Sequence, residues 1–175
     1  MGARSGGRAI ALQVLFGLDA TGALDEGRRA TPGALDVDAI LKRYWLSFED
    51  AEAQADDVDP EARTFADALI REVVGKLDQV DDALRKASTN WRLERMPRVD
   101  RNVARIGTCE LLERRDVPRA VAIDEAVELA KRYGGDDSAK FVNGVLERVA
   151  DEAGRIEERN TGPGDGRGGS RRRRG

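Results

Sequence analysis

Residues 117–149 read VPRAVAIDEAVELAKRYGGDDSAKFVNGVLERV. Val117-Pro118 restarts the chain, because a residue before proline is biased away from the helical region. Ile123, Ala126, Val127 and Ala130 then fall at i, i+3, i+4 and i+7, one face of a helix that runs to about Tyr133. Gly134-Gly135 stops it. Asp136, Asp137 or Ser138 is placed to cap a second helix, whose stripe is Val142, Val145, Leu146 and Val149. Two amphipathic helices joined by a capped turn must bury their faces on other helices. No segment sustains period-two alternation, so the chain is predicted to be all-α.

The same logic extends toward the N-terminus. Arg8–Ala20 is predicted as a first helix, with Ala11, Val14, Leu15 and Leu18 on one face and Thr21-Gly22 at its end. Residues 22–36 read as loop, with a turn at Thr31-Pro32-Gly33. Asp36–Ser47 follows as a short helix, then an acidic, exposed stretch over 49–59. Asp59-Pro60 opens a third helix, with Asp as N-cap and Pro at the first helical position. Val80 and Leu84 continue on a separate helix or after a bend near Asp78. Residues 88–97 form a connector, and Arg98–Arg114 is a helix with Val99, Val103 and Ile106 on one stripe. The total is about seven helices. The domain is expected over residues 1–159, as 1–87 and 88–159. Residues 160–175, NTGPGDGRGGSRRRRG, bury too little apolar surface to offset the entropy of ordering, so a disordered Gly/Arg-rich tail is expected there.

Composition narrows the function. The chain has 175 residues, no histidine and one cysteine, Cys109. Without histidine, Ser-His-Asp and Cys-His catalysis and the common His/Cys zinc sites cannot be built. No glycine-rich phosphate loop is present. Composition therefore favours a binding protein over an enzyme. Carboxylate-only chemistry stays open as an alternative, with 33 acidic residues making chance carboxylate neighbours common. A lone cysteine and the lack of a signal or spanning segment fit the cytoplasm. The net charge is −3; residues 160–175 carry five Arg and one Asp, a net of +4, which leaves −7 on residues 1–159. An acidic body needs a local basic patch, or a partner that supplies charge, to hold nucleic acid.

The run VAIDEAVELAKRYGGDDSAKFVNGVLERV resembles the signature of the bacterial transcription antitermination factor NusB family. NWRLERMPRVDRNVARIGTCELLERRDVP before it, and ALQVLFGLDATG at residues 11–22, are similar in order and spacing. The resemblance implies two small helical bundles packed together, in a protein that catalyses no reaction and needs no metal or cofactor. It implies binding of boxA RNA in nascent ribosomal RNA transcripts together with NusE, in an RNA polymerase elongation complex with other Nus factors. Family members are monomers or dimers, so a homodimer is open. A detached module related to the N-terminal domains of RNA methyltransferases, and a helical protein-binding scaffold, remain alternatives.

Three sites follow from the resemblance. At the turn, Asp137, Ser138, Lys140 and Phe141 are expected to touch RNA. A helix N-terminus seats phosphate and an aromatic ring stacks unpaired bases, although spacing alone also allows Phe141 as core. At the N-terminal arm, Arg4 and Arg8 are expected to grip phosphates; two arginines and three glycines make this arm thin. At the partner surface, Phe16 and Asp100 are expected to meet NusE, against readings of Phe16 as core and Asp100 as an exposed charge or helix-start residue. Charge alone makes Arg171–Arg174 a further candidate RNA contact, against a solvated tail that binds any anion weakly. Structural roles are expected elsewhere: Gly144 for close helix approach, Asn143 for buried backbone groups, Arg105 for pairing with Glu110 or Glu125, and Glu128 with Lys131 as a surface pair.

Overall fold

The computed structural model describes residues 2–29, 35–49, 58–89 and 91–155. The turn at 31–33, most of the acidic stretch and the Arg-rich tail lie outside them. The helices are α1 (Ala3–Ala20), the single turn α2 (Glu26–Arg29), α3 (Val37–Glu49), α4 (Pro60–Gly75), α5 (Leu77–Ala87), α6 (Arg98–Glu113), α7 (Arg119–Tyr133) and α8 (Ser138–Glu152), with a 3₁₀ turn at Leu93–Arg95. Among the described residues there is no strand, and no helix is long and apolar enough to cross a membrane. The all-α expectation holds, with seven helices beyond one turn in length among the described residues.

Local signals act where they were expected. The Asp59 carboxylate accepts the Glu61 N–H at 2.8 Å and Pro60 opens α4. The α4–α5 break falls at Lys76, which ends one helix and precedes the next. α6 sits at the centre and packs against α1, α4, α5, α7 and α8. α1 lies along α4, and α5 packs on α6 and α8. The buried apolar side chains form one continuous cluster, from Leu15 and Leu69 through Ile106 to Leu146, that runs unbroken past residue 87. Full burial of such a Leu or Ile is worth about 1.5–3 kcal/mol.

α6 departs from the single-stripe reading. Val103 through Leu111 are all buried, including Arg105, Thr108 and Glu110. The polar ones among them are matched across the core. Arg105 donates to both Asp81 oxygens at 2.8 and 3.0 Å and to Asn102 Oδ1 at 3.1 Å. Asp19, at the end of α1, accepts from Arg101 and from Asn102 Nδ2. A charged clamp thus ties α1, α6 and α5 together. The expected Arg105 partners, Glu110 and Glu125, are corrected to Asp81 and Asn102. Five residues along a helix turn a side chain about 140° away, so Glu110 faces another neighbour.

Two glycines set how closely helices approach. At Gly107 an added Cβ would meet Leu146 at 2.5 Å and Ala126 at 3.2 Å, so α6, α7 and α8 meet there. At Gly7 it would meet the Ala62 carbonyl at 2.8 Å and Phe65 at 2.7 Å, which seats α1 on α4. Gly144, expected in such a role, has nothing within 4 Å of its Cβ position. Asn143 is exposed rather than buried, so its expected role with buried backbone groups is also corrected.

Cys109 is fully buried in α6. Burial, then the nearby Glu72 carboxylate, pushes its thiol from 9.0 to about 12. The thiolate is the reactive form. Native protein at pH 8 is therefore expected to resist an alkylating reagent that labels Cys109 fully in urea, as read by mass spectrometry; rapid native labelling would contradict this. The unfolded thiol ionises near 9 and the folded one near 12, so the folded state binds the extra proton between those values. Stability should accordingly fall as pH rises through that window.

Candidate nucleic-acid interface

The turn between α7 and α8 is built by Ser138. Gly134 N–H closes α7 onto the Ala130 carbonyl at 2.9 Å. Gly135 N–H then donates to the Ser138 hydroxyl at 2.8 Å, and Ser138 N–H returns to the Gly135 carbonyl at 3.1 Å. Ser138 is buried, which commits its side chain to the turn. The expectation that Asp137 or Ser138 caps α8 is corrected, since no side chain caps this helix start. Asp137 is exposed. The Ala139 and Lys140 N–H groups lie in the first turn, where no carbonyl four residues back is available.

Lys140 is exposed on that first turn. Phe141 is half-buried: it packs against the core cluster and meets the Trp91 ring edge-to-face, with centroids 6.1 Å apart. The core reading of Phe141 is thus met in part, and the residue stays partly exposed. Just before the turn, Lys131 pairs with Glu128 at 2.6 Å on the surface, as expected. Such an exposed pair is worth a few tenths of a kcal/mol, about 0.2–0.5.

The N-terminal arm is different from its reading. α1 begins at Ala3, five residues earlier than the periodicity placed it, because Gly6-Gly7 permits close packing rather than breaking the helix. Arg8 is thereby turned inward and is 2% exposed. Its Nε and Nη2 donate to Glu110 at 2.9 and 2.8 Å, and Nη1 lies 3.3 Å from Glu125. Arg8 as a phosphate contact is corrected: its fork is spent on carboxylates inside the protein. Arg4 is exposed, with its guanidinium 6.0 Å from the Phe65 ring centre. Ser5 donates to Glu125 at 3.0 Å, and a shallow groove runs from Ser5 to Lys131 and Arg132. Eight residues of α7 separate Glu125 from Tyr133, about 12 Å along the helix axis. The arm and the turn are thus joined along one helix.

On α1, Phe16 is 39% exposed while Leu12 and Leu15 beside it are buried, so the core reading of Phe16 is corrected. Asp100 stands in the first turn of α6, as a helix-start residue would, but it is only 5% exposed. The reading of it as an exposed charge is corrected. One residue of this surface escaped the sequence reading: Trp91, assigned only to a connector, is the most exposed of the large apolar side chains among the described residues. Its position after a helix and before Arg92 was the available signal. Among the described residues no group of His, Cys, Asp and Glu is arranged to hold a metal ion.

Residues 6–151 match the NusB family. The chain is 48% identical over 157 residues to the transcription antitermination protein NusB of Sorangium cellulosum (strain So ce56), covering 90% of this chain and 98% of that one. It is 42% identical to the Myxococcus xanthus (strain DK1622) NusB over 86% of this chain and 96% of that one. Among solved structures, T. maritima NusB superposes with a TM-score of 0.67 at 34% identity, covering 87% and 92% of the two chains. A crystal structure of the antitermination factors NusB and NusE in complex with dsRNA superposes with a TM-score of 0.64 at 25% identity, covering 87% and 98%. The family match spans the described helices from α1 to α8, and on that ground this chain belongs to the NusB family of transcription antitermination proteins.

Proposed function

We propose that the chain binds boxA-type RNA of nascent ribosomal RNA transcripts together with NusE, as a non-catalytic member of an RNA polymerase elongation complex in the cytoplasm. One observation carries the reading: the start of α8 has no side-chain cap and bears exposed Lys140 with Phe141 behind it. Backbone N–H groups and a cation favour a phosphate, and the ring offers a face to an unpaired base. Exposed Asp137 repels phosphate, so its role is as an acceptor for an amino group or a 2′-hydroxyl. Ser138 holds the turn that presents these groups. Arg4 extends the surface along α7. For the partner, Phe16 supplies an exposed apolar contact on α1, and nearly buried Asp100 supports the adjoining face from below.

The test is a gel-shift with a boxA-like single-stranded RNA, with and without NusE. Binding is expected to be strongest with NusE, because the acidic body needs charge from a partner. Absence of binding in both conditions would overturn the proposal. Lys140→Ala should weaken binding to all RNA sequences alike and reduce the slope of log K against log salt by about 0.7, the value for one phosphate of a single strand.

A further inference from the structure

We propose that Trp91 is a second stacking position of the same RNA surface, taking an unpaired base on its ring beside the one offered to Phe141. The inference rests on the RNA-binding reading above and adds a residue and a strand geometry to it. Trp91 is 55% exposed, although the connector around it is well anchored: Leu93 and Met96 are buried, and the Trp91 N–H donates to the Ser88 carbonyl at 3.2 Å. A ring left out of the core beside such anchors exposes apolar surface that is available to a ligand.

The occupant follows from what surrounds the ring. Phe141 meets the ring in an edge-to-face pair, at 66° between planes. Trp91 also lines a pocket of about 400 Å³ with Arg85, Ser88, Thr89, Arg92, Leu93 and Glu94. That volume falls in the range of about 300–1,000 Å³ typical of small-ligand sites. The pocket's charged lining is two guanidiniums, Arg85 and Arg92, with one carboxylate, Glu94, at 3.8 and 3.9 Å from them. An aromatic ring beside two guanidiniums suits a base with its flanking phosphates, whatever the base. The two rings are steeply inclined, so consecutive bases cannot remain stacked on each other while lying on both. The strand must turn between Phe141 and Trp91, which a single strand does and a duplex does not.

The test uses the full chain with NusE and the boxA-like RNA. Trp91→Ala should lower RNA affinity about 5- to 150-fold, the range for one stacked base, with the salt slope unchanged. Trp91→Phe should recover most of it. The only other tryptophan, Trp45, is buried, so in a Trp45→Phe background Trp91 fluorescence should be quenched by the single strand and not by its duplex. Failure of the wild-type chain to bind would sink the RNA reading itself. Wild-type binding with Trp91→Ala within two-fold of it would overturn only the stacking role. A Trp91→Ala chain that binds NusE more weakly in the absence of RNA would likewise overturn it, by making the ring a protein contact.

Discussion

Replacing Arg8 with Met is expected to lower the unfolding free energy by about 3–5 kcal/mol, the cost of removing one partner of a buried ion pair. The magnitude comes from what remains. Glu110 is fully buried and would lose two charge-assisted bonds of 2.8 and 2.9 Å from the guanidinium. At 0% exposed, its carboxylate has no contact with bulk solvent. Arg8→Lys should recover little, since an ammonium cannot reproduce the two parallel bonds. The double variant Arg8→Met/Glu110→Met should recover most of the loss, because an apolar pair of similar volume is often neutral or better. Urea unfolding measures all three. The functional counterpart is equally sharp. At a temperature where Arg8→Met stays folded, its RNA affinity and salt slope should match the wild-type chain. A reduced slope with unchanged stability would restore Arg8 to the phosphate-binding role that the resemblance implies.

Arg8 also shows where a sequence stops being informative. Periodicity located α7, the α7–α8 turn and α8 because apolar stripes and glycine stops are local signals. The Asp59-Pro60 start was legible for the same reason. Burial of a charge is not local. Arg8 pairs with a carboxylate 102 positions away and Arg101 with one 82 positions away. In sequence, each looks like any surface arginine. Gly144 and Gly107 make the same point. Both are helical glycines, but only the second faces neighbouring helices, which becomes visible when α7 and α8 are placed around α6. At the candidate site, Lys140 and Phe141 were legible from the turn and the resemblance, whereas Trp91 was not. It lies 50 positions from Phe141 and meets it only because α5 packs on α8.

Arg105→Met is expected to cost a similar amount, about 3–5 kcal/mol, through a different joint. Asp81 is 1% exposed and loses both guanidinium bonds. Asp19 keeps Arg101 and Asn102, so α1 keeps its polar tie to α6 while α5 loses the Arg105 tie and retains its apolar packing. Hydrogen exchange should therefore quicken first in Leu77–Ala87, and only by global unfolding in α1. A uniform increase over all helices would show that the clamp is not local to α5. The matched control is Lys131→Ala, whose exposed pair with Glu128 should cost no more than about 1 kcal/mol. The two buried joints meet on α6, where Arg105 and Glu110 lie five residues apart, about 7.5 Å along the axis. They share no partner, so their costs should add to within about 0.5 kcal/mol. The combined loss of about 6–10 kcal/mol then rivals the whole stability of a typical domain, about 5–15 kcal/mol. The Arg8→Met/Arg105→Met chain should be substantially unfolded at 25 °C, although every apolar residue of its core is intact. A folded double variant would show that the apolar core alone suffices to hold this arrangement of helices.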